Sequence, residues 1–353
     1  MNQTLYFIVG PTAIGKSSLA LRFAEKINGV IINADSMQVY SNLKILTARP
    51  SSADLKRISH QLYGYVDGSI RYNVSKWCND ILKVIQKNQI NNTPLIIVGG
   101  TGMYIDKLLN GLIDIPSIPE LIKEKSENLV KKVGLGNFLK IVNDIDPVSL
   151  NNISANDTNR LKRIWEVYSF TGIPFSEWKK KQNNFFLNKP DYHIYLFTPS
   201  REKIYERVNV RFKKMLNQGA IEEVRQLILL KLDKSLPIMR AHGVPEITDY
   251  LSNVSTLDDC ISRGQQITRN YVKRQLTWWR SCSLRIHQSF NEFPEKIDEK
   301  FLDINEIKKR VVKGEDIIGR DDNFNKVPLD SSFPIYLREN IKKYITRNIL
   351  NRI

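Results

Sequence analysis

The first hundred residues alternate short apolar runs with glycine-bearing turns. Leu5-Tyr6-Phe7-Ile8-Val9 has the length and character of a buried strand, and from Ser18 to Lys26 the apolar positions Leu19, Leu21 and Phe23 take helical spacing. Gly29-Val30-Ile31-Ile32-Asn33-Ala34-Asp35 reads as a second strand whose end carries the polar residues Asn33 and Asp35. Trp77, Ile81, Leu82 and Ile85 mark a helix from Val74 to Lys87. Pro94-Leu95-Ile96-Ile97-Val98 is then a fully apolar strand that enters the turn Gly99-Gly100-Thr101-Gly102, with a helix expected from Met103 to Leu109. Apolar strands alternating with helices predict an α/β fold around a parallel sheet.

The pattern changes at Pro116. As far as about Asn188 it is helical, charged and poor in strands, and Tyr192 to Phe197 then returns to strand character. The sheet is therefore expected to form from residues 1–115 and 189–290, interrupted by a mainly helical insertion at 116–188 and followed by a charged tail at 291–353. Within the tail, Phe301 to Val312 reads as one amphipathic helix. Ser200 is expected to cap a helix with Ile204, Val208 and Phe212 on one face and Lys203, Arg207 and Arg211 on another. Like charges at that spacing repel unless an anion neutralises them. A second basic helix, Gly264 to Arg280, carries Arg269, Lys273, Arg274 and Arg280 among Tyr271, Trp278 and Trp279.

The candidate chemistry sits in the first turn. Gly10-Pro11-Thr12-Ala13-Ile14-Gly15-Lys16-Ser17 fits the phosphate-loop pattern G-x-x-x-x-G-K-[ST] at every fixed position, between a strand and a helix. Such a loop turns backbone N–H groups inward over the positive end of a helix, and Lys16 adds an ammonium while Ser17 adds a metal-binding hydroxyl. The fold expected is a P-loop NTPase-like parallel sheet. Asp35, at the carboxyl edge of the second strand, should lie near the loop, because ligands of open α/β sheets sit at that edge; the other reading is a helix cap. Gly99 stands at the strand end where a phosphate-loop kinase usually places a metal-organising Asp. Small residues there are expected to admit a bulky group close to the backbone, facing the Thr101 hydroxyl.

Charge adds a partner. The 353 residues carry 53 Lys+Arg against 37 Asp+Glu, a formal +16, which points to a polyanion. In the insertion Arg160, Lys162 and Arg163 read as lacking local acids and are followed by Trp165, Tyr168 and Phe170, the composition of a surface for unpaired RNA. Three well-separated cysteines, Cys78, Cys260 and Cys282, suggest neither a zinc site nor disulfides. The four histidines show no metal spacing. With no membrane-span run and no basic leader, the expected location is cytoplasmic.

The motifs resemble the tRNA dimethylallyltransferase (isopentenyl-tRNA transferase) family. The resemblance rests on the phosphate loop, Asn33-Ala34-Asp35-Ser36-Met37-Gln38-Val39-Tyr40, Thr47-Ala48-Arg49-Pro50, Gly99 to Tyr104, Asn156-Asp157 with Arg160, and Thr268-Arg269 with Lys273-Arg274-Gln275, in the family's order over about residues 4 to 285. It implies transfer of a dimethylallyl group from its diphosphate to the N6 amine of the adenosine 3′ of a tRNA anticodon. By the same resemblance Gly10 to Ser17 and Arg240 bind the diphosphate, with Mg²⁺ at Ser17, Asp35 is the general base, and Thr101 lies beside the reacting adenine. The tRNA anticodon stem-loop is expected to meet Asp35, Ser36, Met37, Gln38, Lys123, Asn159, Arg160, Leu161, Lys162 and Arg163; the basic helix adds Arg269 and Lys273. A monomer is expected. Ile14 and Ser59 depart from the family's usual residues, and the tail from about Asn291 is longer than in short bacterial members and lacks the zinc finger of some eukaryotic ones.

Three other readings fit only part of the sequence. A small-molecule or nucleoside kinase would use the same loop for ATP, but the absent strand-end Asp counts against it. Asn188-Lys189-Pro190-Asp191 matches a guanine-reading string, but it precedes its strand instead of following one. A non-enzymatic RNA-binding module would leave the loop and Asp35 without a purpose.

Overall fold

The computed structural model describes residues 4–298 apart from 152, 182–184 and 188–189, together with 302, 318–320 and 326–328. The first apolar run forms strand β1 (Thr4–Val9) in the middle of a sheet. On one side lie β4 (Leu95–Gly99), β2 (Val30–Asn33) and β3 (His60–Gln61); on the other lie β5 (Asp191–Phe197) and β6 (Gln288–Phe290). All five pairings are parallel, giving the order β3-β2-β4-β1-β5-β6. Parallel neighbours need crossover segments, and the helices supply them. In chain order the helices are α1 (Lys16–Ile27), α2 (Ser52–Arg57), α3 (Val74–Gln89), α4 (Gly102–Asn110), α5 (Glu120–Val133), α6 (Leu135–Ile145), α7 (Pro147–Leu150), α8 (Thr158–Thr171), α9 (Phe175–Lys180), α10 (Arg201–Met215), α11 (Ile221–Leu229), α12 (Val244–Leu251) and α13 (Leu257–Ser281).

Register fixes the place of the site. Val9 pairs with Gly99 and with Leu196, and Asn33 pairs with Val98. The phosphate loop, the glycine turn and Asp35 therefore leave the sheet at one edge. One face is covered by α1, whose Leu19, Ala20 and Phe23 pack with Ile8, Tyr195 and Phe197. Asp191, the acid of the guanine-reading string, begins β5 at the opposite edge and accepts a hydrogen bond from the Thr4 hydroxyl at 3.0 Å. That position rules out a role at the loop; Asn188 and Lys189 lie outside the described residues.

The chain after β5 corrects several expectations. Ser200 stands at the start of α10, but its side chain makes no capping hydrogen bond. The second basic helix, α13, begins at Leu257 behind a capping box of Thr256 and Asp259, seven residues before the expected Gly264. The expected tail starts too early. Gln288–Phe290 is an edge strand, and Phe293, Ile297 and Leu302 are buried in the same core as α1. Arg22 donates to the carbonyls of Pro294 and Ile297 at 3.3 and 3.1 Å, and Tyr195 donates to that of Leu302 at 2.7 Å. The strands β7 (Ile318–Arg320) and β8 (Lys326–Pro328) pair antiparallel. The amphipathic helix expected over 301–312 lies outside the described residues, Leu302 apart.

By contact the chain divides into Met1–Asp106 with Asn188–Ile353, and Lys107–Leu187. The first boundary falls inside α4, earlier than the expected 115/116, and the described residues 291–298 and 302 belong with the sheet. The second unit packs Phe138 and Val142 of α6 against Leu161 and Ile164 of α8, with a further cluster of Ile118, Val167 and Trp178. Asp146 starts α7 and accepts from the backbone N–H groups of Ser149 and Ser176 at 3.1 and 2.8 Å. These bonds and the Ser149 hydroxyl hold its carboxyl below the usual carboxylate range against the opposing effect of burial.

Beneath β5 and β6, His287 faces His193 at 4.9 Å between ring centroids, and its Nδ1 accepts the Ile194 N–H at 3.0 Å. Burial, helped by His193 and Arg285, pushes the His287 imidazole down to about 3. The folded protein thus holds His287 neutral where the unfolded chain, at about 6.5, takes up a proton. Stability is complete above pH 6.5 and is lost as pH falls toward 3. Thermal unfolding should show a loss of about 2 kcal/mol by pH 5 from this group, and His287→Gln, which keeps an acceptor for Ile194, should flatten the curve between pH 6.5 and 5.

Candidate active site

The phosphate loop is built from backbone. Ala13 and Gly15 take left-handed conformations, φ 65° and 91°, and Gly15 is the N-cap of α1. Alternation of this kind makes the concave array of N–H groups that receives an anion. Ile14 is fully buried and joins the core under the loop, so its bulk points away from the cradle. Lys16 folds over the loop and donates to the Pro11 carbonyl at 2.7 Å. Ser17 is exposed on the first turn of α1.

Asp35 follows β2 and is fixed by the chain around it. Its N–H donates to the Asn33 side chain at 2.8 Å, and Asn33 in turn donates to the carbonyls of Asp35 and Leu62. One carboxylate oxygen, Oδ1, accepts the Met37 N–H at 2.8 Å. Asp35 therefore does cap, but it caps a turn and not a helix. No hydrogen bond engages Oδ2 among the described residues. The next residue, Ser36, donates its N–H to the Thr101 hydroxyl at 3.4 Å.

Around these residues is a cavity of about 210 Å³, lined by Thr12 and Ala13 of the loop, Asp35 to Met37, Arg211, Arg240, His242 and Tyr271. Arg240 reaches it from a short 3₁₀ turn, Pro237–Arg240. Burial pushes the Lys16 ammonium down to about 7, with Asp35 opposing the shift and Arg211 adding to it. Arg211 is lowered by burial, with Asp35 again opposing. His242, tilted over Tyr271 at 4.7 Å, is lowered by burial and then by Arg274. Burial and Asp35 raise the Tyr271 phenol. The cavity thus gathers cations around one carboxylate, an arrangement suited to a polyphosphate.

The glycine turn differs from expectation. A side chain at Gly99 would meet the Ala34 carbonyl oxygen at 2.2 Å, one at Gly100 the Gln275 amide at 2.2 Å, and one at Gly102 the Trp278 ring at 2.0 Å. The close approach is made by the chain's own groups, so the turn holds no open space for a substrate at those glycines. Thr101 alone faces the Asp35 side.

The cations read from sequence separate into two sets. Arg160 pairs with Asp157 at 3.1 Å, Lys123 with Glu120 at 2.8 Å, and Lys162 with Glu127. Asp157, the α8 cap three residues before Arg160, and Glu127 of α5 supply the acids, which corrects the reading of Arg160 and Lys162 as lacking local acids. Arg163 is lowered by burial, opposed by Glu166. Leu161 is fully buried in the core of its unit, and Asn159 is exposed. On α10, Arg207 is clamped by both carboxylate oxygens of Glu295, which supplies the expected neutralising anion from the chain itself. Arg269 donates to Asn209 and Gln266 at 2.6 Å each, while Lys273 is exposed. Gln38 spends its amide on the Thr47 carbonyl at 2.8 Å. Arg211, His242 and Tyr271 line the cavity but were not among the expected site residues, although the sequence puts Arg211 on a basic helical stripe and Tyr271 on the second basic helix.

The donors present suit Mg²⁺ only as an ion carried by a substrate. Among the described residues no three His, Cys, Asp or Glu side chains come together to hold a metal. A single hydroxyl at Ser17 fits the octahedral, water-rich ion that rides on substrate phosphates, and not a protein cage.

A phosphate loop on the carboxyl edge of a parallel sheet, with a cation-lined cavity and a lone carboxylate beside it, defines a P-loop-type fold set up to handle a diphosphate. The family model described as IPP transferase matches residues 38–282. The tRNA dimethylallyltransferase of Pelagibacter ubique (strain HTCC1062) is 41% identical over 277 residues, covering 78% of this chain and 88% of that protein. That of Bartonella quintana (strain Toulouse) is 40% identical over 279 residues, 79% and 94%. Among solved structures, the tRNA isopentenylpyrophosphate transferase of Bacillus halodurans superimposes with a TM-score of 0.61 at 26% identity, over 89% of this chain and all of that one. The chain belongs to the IPP transferase family.

The Lys16 charge has a measurable consequence. Only the ammonium form attracts diphosphate, and a bound diphosphate raises the Lys16 value above that of the empty loop. Affinity is therefore full below about 7 and weakens about tenfold per unit as pH rises above it. Calorimetric titration with inorganic diphosphate from pH 6 to 9, divided by the same titration of Lys16→Ala to remove the ligand's own ionisation, should give that falling ratio.

Proposed function

We propose that this chain is a tRNA dimethylallyltransferase that moves the dimethylallyl group of dimethylallyl diphosphate onto N6 of the adenosine 3′ of a tRNA anticodon, working as a monomer in the cytoplasm. The observation that carries this reading is a carboxylate, Asp35, with one oxygen fixed and one unengaged, set beside a phosphate loop whose neighbouring strand β4 ends in Gly99 and not in an acid. Among the described residues no helix is long and apolar enough to cross a membrane.

In this reading the diphosphate lies in the loop, against Lys16, Arg240 and Arg211. The bond from the allylic carbon to the diphosphate oxygen breaks, its electron pair leaves with the diphosphate, and the carbon bonds to N6. Cations placed where that negative charge develops stabilise the transition state. When bound, Mg²⁺ would rest on Ser17 and the diphosphate and neutralise part of the leaving charge. The adenine amine is a poor nucleophile because its lone pair is delocalised, so N6 gives its proton to Oδ2 of Asp35 as the new bond forms. The Met37 N–H on Oδ1 holds the carboxylate in orientation. Thr101 and Tyr271 line the adenine side, and the base enters flipped from its stack, away from water that would capture the allylic carbon. The second unit offers Arg163, with Lys123, Asn159, Arg160 and Lys162, to the anticodon stem-loop; Lys273 of α13 contributes from the first. The ion pairs of Lys123 and Arg160 are largely exposed, and exposed pairs are weak enough to exchange for phosphate contacts.

Incubation of the protein with unmodified tRNA and dimethylallyl diphosphate, followed by mass spectrometry of the nucleosides, should yield dimethylallyladenosine. ATP turnover in the absence of RNA, with no prenylated product, would establish the kinase reading instead. Asp35→Asn keeps the size and the Met37 bond but removes basicity. Its single-turnover rate should fall roughly 10²–10⁴-fold with stem-loop affinity unchanged. A rate within threefold of wild type would remove Asp35 as the base.

A further inference from the structure

The helix α13 sends one buried amide between the two loops of the site. Gln275 is 5% exposed. Its Oε1 accepts the Thr12 N–H at 2.9 Å, and its Nε2 donates to the Gly100 carbonyl at 3.0 Å. Thr12 belongs to the phosphate loop after β1, and Gly100 to the turn after β4. The amide orientation is fixed by its partners, because one is a donor and the other an acceptor. Room for it depends on Gly100, where a side chain would stand 2.2 Å from Nε2. One helical turn earlier, Tyr271 lies beside both Gln275 and Thr101, and Thr101 accepts the N–H of Ser36 next to Asp35.

We propose that Gln275 is a positioning residue, which sets the separation between the donor's phosphate loop and the turn that carries Thr101 and so brings N6 to the allylic carbon. This rests on the functional reading above. The strands β1 and β4 hold their two loops together at the base through the Val9–Gly99 pair. Among the described residues no sheet hydrogen bond ties them beyond that pair, and the Gln275 side chain donates to one and accepts from the other. A reaction between two bound groups depends on their separation, and a misplacement of about 1 Å can cost on the order of 10²-fold in rate. A residue that only filled space would affect folding and leave the rate of the folded enzyme alone.

Two variants separate these roles, each read by single turnover with saturating dimethylallyl diphosphate and an anticodon stem-loop and normalised to folded protein by circular dichroism. Gln275→Met keeps the volume and loses both bonds; its rate should fall on the order of 10²-fold while stem-loop affinity stays near wild type. Gln275→Glu can make both bonds only as the neutral acid, since a carboxylate would face the Gly100 carbonyl. Burial raises a carboxyl pKa, so the ratio of its rate to that of wild type should climb as pH falls from 8 to 6. A Met variant within threefold of wild type, or a Glu variant whose pH profile parallels wild type, would overturn the proposal. A wild-type protein that transfers no dimethylallyl group in this assay would overturn the functional reading, and the proposal with it.

Discussion

Lys16 carries its charge into a place that disfavours it, and much of the site follows from that. Burial lowers its ammonium, Arg211 lowers it further, and Asp35 alone opposes them. A partly buried cluster with more cations than anions is held in place by the sheet, the loop backbone and α10, at a cost in self-repulsion. Three other arginines have acid partners of their own. Arg207 has Glu295, Arg57 has Glu25, and Arg263 has Asp249. In the cavity Arg211, Arg240 and the neighbouring Lys16 share the one carboxylate of Asp35, and in the proposed reaction a diphosphate entering the loop would relieve that repulsion.

The same separation explains what the sequence could and could not say. The phosphate loop was legible because its four fixed positions state a backbone shape, and the sheet because its strands are unbroken apolar runs. Asp35 was placed correctly at the loop from its position at a strand's carboxyl end. Strand β6 was missed because Gln288-Ser289-Phe290 carries almost no strand signal; it is a strand because β5 offers it an edge. Glu295 was missed for a related reason, since nothing in Pro294-Glu295-Lys296 shows that Arg207 waits for it. Arg211, His242 and Tyr271 reach the cavity through tertiary packing; a helical repeat gives the face of Arg211 and Tyr271 but not what it meets, and His242 sits in a turn with no repeat at all. The glycines at 99, 100 and 102 were read as space for a ligand, but a glycine announces only that something comes close. Here that something is Ala34, Gln275 and Trp278.

Gly99 also shows why this loop serves a different reaction from that of a kinase. In phosphoryl transfer an acid at the end of the strand beside the loop helps to hold the metal. Here the Ala34 carbonyl lies where any side chain on Gly99 would begin, so an acid has no room on β4. The carboxylate stands instead beyond the end of the neighbouring strand β2, at Asp35, with one oxygen tied to the turn and one toward the cavity. From there it suits proton removal from an incoming nucleophile better than caging a metal with other acids, which the described residues do not provide. In the proposed chemistry the loop keeps its older task of gripping phosphates. What changes is the atom that is attacked: the electrophile is the carbon attached to the diphosphate and no longer a phosphorus, so the gripped group becomes the leaving group. A cation cluster that binds phosphate in the ground state then stabilises it more strongly as its charge grows, and the same loop passes from phosphoryl transfer to alkyl transfer without a change of fold.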